Sequence, residues 1–356
     1  MTRVRFRRAR AVLAYWRDDR LFLDNYATRV TISASPITIQ ILDAFGHWRR
    51  SEDLPALFPE FTPASLAKAV RELARHTMLV REGTPEAAHD TAIARVWSSW
   101  LPEGGFHFAT KNAPYVDQRW SADERRRILP QTPQPAFFKS DRRAPHLALP
   151  PRARRSSEFQ DVLLRRRTHR RFARGAVSLE DVSTLLSLVW GVQGRISSPI
   201  FGSLAHKTSP SGGARHPGEV YLVAQHVEGI KPGIYHYDAL RHRLETVRTG
   251  PTRRSAWQYC VRQNHVRDAA ALFVMTAVFP RTIWKYHTGR AYRVVLLDAG
   301  HLCQTFCLVA TWLGLGPFST AALDDERIER DLKIDGVSES VLYVAGVGRA
   351  LADEAP

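Results

Sequence analysis

Two short stretches of this 356-residue chain gather side chains that can do chemistry. In one, Lys285, Tyr286 and His287 stand in a row after a β-branched run. A lysine beside a tyrosine puts a cation next to a phenol, which suits proton transfer beside a redox cofactor. The other is Arg165, Arg166, Arg167, Thr168, His169, Arg170, Arg171 and Phe172. Guanidinium groups grip phosphate with paired charged hydrogen bonds, and a threonine hydroxyl adds a neutral donor. Such a turn can hold a phosphate monoester. Read alone, it is more often a solvated basic segment.

Three further stretches shift that balance. Pro210, Ser211, Gly212, Gly213 and Ala214, then Arg215 and His216, lead into an apolar run over residues 219–224. Consecutive small residues let backbone N–H groups approach a flat ligand, though the lysine and spacing of a P-loop are missing and an ordinary turn fits too. Gly314, Leu315 and Gly316 precede Phe318, Ser319 and Thr320. Gly346, Val347 and Gly348 end a strand-like run at Arg349, a second phosphate clamp. His107 and His301 read as structural, hydrogen-bonded histidines.

The elements that must carry these groups follow from periodicity. Residues 11–16 and 21–25 read as a hairpin, and 30–32 as a further strand. Ser35 and Pro36 open a helix, Ser51 a short second one, and Thr62 with Pro63 a third. Residues 78–80 close the set as a strand, giving a small winged-helix-like module over 1–88. The third helix shows Lys68, Arg71 and Arg75 but no Asn/Gln/Arg set for base edges, so peptide or partner binding ranks above DNA. Residues 89–157 form a connector rich in Pro, Arg and Trp. Its Trp97, Trp100, Phe106 and Phe108 are expected to pack on the second half, and residues 130–151 to run extended and poorly regular. From residue 158 to 352 the pattern is α+β: a helix over 178–190 with Ser178 as N-cap, a hairpin over 233–247, a buried strand over 272–278 and a surface loop over 280–287. A long helix over 289–313, apolar nearly all round, a short helix over 325–332 and a final strand over 340–347 complete it.

The totals exclude some classes. Hydrophobic content of 44% allows a substantial core, and a net charge of +16 favours an acidic or phosphate-bearing ligand. Cys260, Cys303 and Cys307 make neither a disulfide framework nor a metal-ligand cluster and fit a reducing, cytoplasmic setting. No metal is expected. The basic start has no apolar signal core. The most apolar stretch, residues 294–318, is interrupted by Asp298, His301 and Gln304, which argues against a membrane span.

In order along the chain, the arginine turn, the Pro210 to Ala214 turn, Gly233-Ile234-Tyr235-His236-Tyr237, Lys285-Tyr286 with Arg290 and Arg293, Asp298-Ala299-Gly300-His301, Gly314-Leu315-Gly316 and Gly346-Val347-Gly348-Arg349 resemble the nitroreductase superfamily. More narrowly, they resemble its SagB-type dehydrogenases, over residues 158–350. The front module resembles the winged-helix-like region that precedes many of them. The resemblance implies a nitroreductase-like fold with a central, mainly antiparallel sheet flanked by helices. It also implies a homodimer with FMN at the subunit interface.

The activity implied is oxidation of thiazoline or oxazoline rings to thiazole or oxazole on a ribosomal peptide or carrier-bound chain, with a cyclodehydratase partner. By the same resemblance Arg166, Arg167, Thr168 and Arg170 contact the FMN phosphate or ribityl chain, supported by Arg293 and Arg349. Pro210, Ser211, Gly213 and Ala214 line the isoalloxazine, and Gly316, Ser319 and Thr320 approach its reactive nitrogen. Lys285 and Tyr286 match the catalytic pair. Arg215 and His216 depart from the family pattern, which has apolar or aromatic residues there, and are expected to bind a carboxylate or acidic substrate. Two competing readings stand beside this one. The first is an NAD(P)H-dependent nitro- or quinone reductase. The second is a flavin-free subunit that binds peptide or nucleic acid, with nucleic acid ranked low.

Overall fold

The computed structural model describes residues 4–113 and 157–351. The front module holds β1 (Phe6–Arg8), β2 (Val12–Arg17), β3 (Arg20–Asn25), β4 (Val30–Ala34), α1 (Pro36–Ala44), a 3-10 turn (Ser51–Ala56), α2 (Pro63–Arg75) and β5 (Leu79–Arg81). β2, β3 and β4 form one antiparallel sheet, and β1 pairs with β5 in a second. The helix starts follow the caps read from the sequence: the Thr62 hydroxyl accepts from the Ser65 N–H at 3.2 Å, and Pro36 and Pro63 sit in the first turns. The expected second helix is only a 3-10 turn, because Pro55 inside it has no N–H to continue an α-helical ladder.

No element is read from the sequence in the first part of the connector. That part forms two helices, α3 (Pro85–Trp97) and α4 (Leu101–Thr110), and α3 runs straight through residue 88. Asp90 on α3 is buried and reaches back into the front module. It pairs with Arg7 at 2.7 Å and accepts from the backbone N–H groups of Arg10 and Ala11 at 2.7 and 3.2 Å. Trp97, Trp100 and Phe108 do pack on the second half, as expected, whereas Phe106 is largely exposed. Trp97, Trp100 and Phe108 share a core with Phe279, Tyr292, Val295 and Val337. Residues 130–151, read as an extended crossing, lie outside the described residues.

The second half holds α5 (Glu158–Arg165), α6 (Leu179–Trp190), β6 (Gly194–Ser198), β7 (Gly202–His206), a 3-10 turn (Gly212–Ala214), β8 (Gly218–Ala224), β9 (Gly233–Asp238) and β10 (Arg243–Thr249). It continues with α7 (Arg253–Tyr259), β11 (Ala271–Val278), α8 (Phe279–Ile283), α9 (Arg290–Trp312), β12 (Leu315–Thr320), α10 (Asp325–Leu332) and β13 (Glu339–Arg349). Six strands form one antiparallel sheet in the order β10-β9-β8-β11-β13-β12. Alternation along the strands builds two cores. Val220, Leu222, Phe273 and Met275 face α6 and α9, whereas Tyr221, Val223, Leu272 and Val274 face α7 and α10. The fold is thus α+β with an antiparallel central sheet flanked by helices, as the sequence implied.

α9 alone among the described residues is long and apolar enough to cross a membrane. Here it lies on the sheet, burying Val295, Cys303, Phe306 and Ala310, while Leu296, Leu297 and Trp312 remain exposed. The loop expected over 280–287 begins as the short helix α8, with Pro280 in its first turn. The β6–β7 hairpin is an addition to the elements read from the sequence.

His107 is structural, as expected. It stacks on Trp97 at 5.0 Å between ring centroids, and its Nδ1 lies 2.9 Å from the Tyr292 hydroxyl. Burial pushes its pKa down to about 3 from the usual 6.5, helped by nearby Lys111. The unfolded chain therefore binds a proton below pH 6.5 that the folded chain refuses until about pH 3. Stability should accordingly fall as pH is lowered through that window. Urea denaturation of His107→Phe should show a shallower acid slope than the parent chain.

Candidate functional site

The turn after β7 is shaped by one carboxylate. Asp298, buried in the middle of α9, accepts from the Ser211 hydroxyl at 2.5 Å and from the Gly212 N–H at 3.3 Å. Burial raises the pKa of Asp298, opposed by these two donors. The Ser211 oxygen in turn accepts from the His216 N–H at 2.9 Å. These bonds hold a backbone in which Gly213, Ala214 and His216 all have positive φ, at 63°, 53° and 44°. Left-handed conformations at non-glycine residues cost energy, so the turn needs the bracing. Removing it by Asp298→Ala should leave the fold intact but open residues 210–216 locally. Loss of a charged hydrogen-bond partner is worth about 1–3 kcal/mol, so tryptic cleavage after Arg215 should speed up roughly tenfold or more. Mass-spectrometric mapping of early fragments would measure it.

Lys285 and Tyr286 meet this turn. A Cβ on Gly213 would collide with the Tyr286 hydroxyl and lie 2.8 Å from the Lys285 Nζ, so only glycine fits here. The Lys285 ammonium sits 4.1 Å from the Phe201 ring centroid and 3.4 Å from the Gly213 carbonyl oxygen. Trp100 in the connector fixes the loop from behind, donating its indole N–H to the Tyr286 carbonyl oxygen at 3.1 Å.

Arg215 stacks on both Phe201 and Trp284, at 5.5 and 5.3 Å from the ring centroids, and donates to the Gly213 carbonyl oxygen at 3.1 Å. Among the described residues no carboxylate pairs with it, whereas nearby Arg281 is paired with Glu219 at 2.5 Å. His216 is tied down: its Nε2 lies 3.1 Å from the Ala205 carbonyl oxygen. Burial, with Lys207 and Arg215 close by, lowers its pKa and favours the neutral ring.

The arginine turn lies elsewhere. It leaves α5 and crosses the end of the sheet. The His169 N–H donates to the Pro317 carbonyl oxygen at 2.9 Å, and the His169 side chain covers Gly316. The Ala173 N–H donates to the Arg349 carbonyl oxygen at 2.9 Å, and Phe172 packs over Gly348. Arg166, Arg170, Arg293 and Arg349 make no ion pair among the described residues. Arg167 turns back instead, donating to the carbonyl oxygens of Leu164 and Arg166 at 2.7 and 2.9 Å. Thr168 is exposed beside them. In β12, the Ser319 hydroxyl lies 3.0 Å from that of Tyr343, and the Thr320 oxygen accepts from the Gln263 side chain at 2.9 Å.

The structure therefore gathers the predicted residues into two groups. Arg166, Arg167, Thr168, Arg170, Gly316, Ser319, Thr320 and Arg349 gather where β12 and β13 meet the arginine turn. Pro210, Ser211, Gly213, Ala214, Arg215, His216, Lys285 and Tyr286 gather at the entry to β8. Exposed Arg293, in the first turn of α9, is nearer the second group. Sequence reasoning missed three contributors: Asp298, Phe201 and Trp284. Asp298 did leave a signal, a lone carboxylate amid an apolar helix. Phe201 left little, because neither strand of its hairpin shows an apolar face.

These residues fit a flat cofactor with an anionic tail. Guanidinium groups with no acidic partner among the described residues suit a phosphate, and the run of small residues from Pro210 to Ala214 suits a flat ring. The sequence matches the nitroreductase family over residues 163–349, and the chain belongs to that family. It is similar to the trifolitoxin-processing protein TfxB of Rhizobium leguminosarum bv. trifolii, 30% identical over 49% of this chain and 48% of that protein. It is also similar to the microcin B17-processing protein McbC of Escherichia coli, 31% identical over 43% of this chain and 57% of that one. A nitroreductase-like protein of Methanocaldococcus jannaschii is 29% identical over 54% of this chain and 92% of that protein. The chain thus spans about half the length of the two peptide-processing relatives. The SagB-type likeness read from the motifs agrees with the appearance of these two.

Proposed function

We propose that this protein is an FMN-dependent dehydrogenase that oxidises thiazoline or oxazoline rings to thiazole or oxazole on a ribosomal peptide or carrier-bound intermediate. The observation that carries the reading is the convergence of Lys285 and Tyr286 on Gly213, in a turn braced by Asp298. Aromatising an azoline removes a proton and a hydride from ring carbons. FMN, when bound, supplies the hydride acceptor. The chain supplies the rest. Either Lys285 takes the proton as the neutral amine, or Tyr286 takes it as the phenolate while the Lys285 cation offsets the negative charge beside it. Arg166, Arg170 and Arg349 hold the phosphate, with Thr168 as a neutral donor and Arg293 adding charge. Pro210, Ser211, Gly213 and Ala214 form one wall of the ring site, and Gly316, Ser319 and Thr320 the other. Arg215 would face an acidic part of the substrate.

A homodimer is part of this proposal. The two residue groups sit towards opposite ends of α9, a 23-residue helix about 35 Å long. Pairing one group with its complement from a second chain would bring them together. Exposed Leu296, Leu297 and Trp312 on α9, beside exposed Phe159, Leu163 and Leu164 on α5, offer an apolar surface for it. The trifolitoxin- and microcin-processing relatives support a processed peptide as substrate, and a cyclodehydratase partner is carried over from the SagB-type resemblance. Buried, free Cys260, Cys303 and Cys307 support a cytoplasmic setting.

The first experiment is a visible spectrum of the purified protein, with heat release and identification of the chromophore. FMN near one per chain is expected, with the bound flavin reduced on adding an azoline peptide. Reduction by NAD(P)H alone, with no response to azoline, would favour the nitro- or quinone reductase. A colourless protein that FMN cannot reconstitute would overturn the enzyme reading.

A further inference from the structure

A second site lies at the far end of β8 from the catalytic turn. A cleft of about 910 Å³ opens between the segment after Phe172, the β8–β9 loop, the start of α7 and the segment before β11. Arg174, Lys231, Arg253 and Arg267 line it, each from a different segment. Its one acid, Asp268, is already paired with Arg253 at 2.8 Å. Arg267 is held in place over the Trp257 ring, 5.2 Å from its centroid.

The floor carries an unmet demand. Gln225 is 8% exposed, and its Nε2 donates to the carbonyl oxygens of Val266 and Ala269, both at 3.0 Å. Flipping the amide would set its oxygen against both carbonyls, so its orientation is fixed. Its Oε1 is then buried with no donor.

We infer that this cleft binds an extended acidic peptide segment, its carboxylates on the separated cations. A lone phosphate would be gripped by donors that converge on one point, but these cations are dispersed around a large cleft. The assignment rests on the peptide-substrate reading above and extends it. β8 has seven residues, so the cleft and Gly213 lie about 20 Å apart at its two ends, and a peptide anchored in the cleft would reach the turn over the surface rather than along this buried strand. Anchoring there would raise the effective concentration of the ring at Lys285 and Tyr286.

The test uses the full-length holoprotein and fluorescence anisotropy with a labelled short Glu/Gly peptide and its Gln/Gly counterpart. The Glu peptide should bind at least about tenfold more tightly. Lys231→Glu with Arg267→Glu should abolish that preference, with flavin content and turnover of a small untethered azoline unchanged. Lys68→Glu with Arg71→Glu, on α2, controls for bulk charge and should leave the preference in place. Equal binding of the two peptides, a preference that survives the cleft variant, or equal loss in the α2 variant would overturn the assignment. So would saturable binding of AMP at the cleft without any binding of the Glu peptide. Flavin content is read separately, so a colourless protein would sink the dehydrogenase reading while the peptide result still stood by itself.

Discussion

Tyr286→Phe or Lys285→Ala should cut azoline turnover by roughly 10²–10⁴-fold while leaving flavin content and the flavin spectrum close to those of the parent. That range is what a positioned acid or base contributes. Both groups lie against Gly213, and neither belongs to the unpaired arginine group assigned to the phosphate. Tyr286→Phe removes only an oxygen from a ring that stays packed beside Phe279 and Tyr292. A loss of turnover in that variant would therefore report chemistry rather than folding. Steady-state rates with a synthetic azoline peptide, beside flavin occupancy, would measure it. Normal turnover in both variants would remove the pair from the mechanism.

The second large effect is expected at the other group. Arg166→Ala combined with Arg170→Ala should weaken FMN binding by about 10²–10⁴-fold, since hydrogen bonds to charged groups are worth about 1.5–3 kcal/mol each. Neither guanidinium has an acidic partner among the described residues, so their removal strands no buried carboxylate. Thermal stability of the apoprotein should change little. Quenching of FMN fluorescence on titration would give the affinity. Arg167→Ala is an informative companion, because its guanidinium faces the carbonyl oxygens of Leu164 and Arg166. It should loosen the end of α5 more than it weakens flavin binding. Full flavin occupancy in the double variant at low FMN would sink the phosphate assignment.

Much of this was legible in the sequence because local chemistry determined it. Ser178 before Leu179, Thr62 before Pro63 and the continuous apolar runs of β8 and β11 each fix an element without help from distant residues. The glycine at 213 was legible as a close-approach position, though not what approaches it. What stayed hidden depended on contacts across the chain. α3 is apolar on more than one face because one side meets the front module and the other meets Phe279 and Tyr292, so its helical period is blurred. The β6–β7 hairpin has no buried face to print an alternation. Asp298 was visible as an odd carboxylate, but its role appears only once the Ser211 turn is folded against α9. Arg167 and His216 read as ligand-facing from composition, while the structure turns each towards a backbone carbonyl.

The indole of Trp100 holding the Tyr286 carbonyl has a practical corollary for how this polypeptide can be divided. A fragment beginning at residue 158 would contain every residue of the family match, yet it would lack the Trp97, Trp100 and Phe108 layer beneath Tyr286 and Tyr292. It would show water an aromatic surface and leave the proton-handling loop without its backing. Front and back halves are thus not exchangeable cassettes. Grafting a foreign recognition module onto the dehydrogenase half would need a junction upstream of α3, and the new module would have to supply a cation for buried Asp90 in place of Arg7.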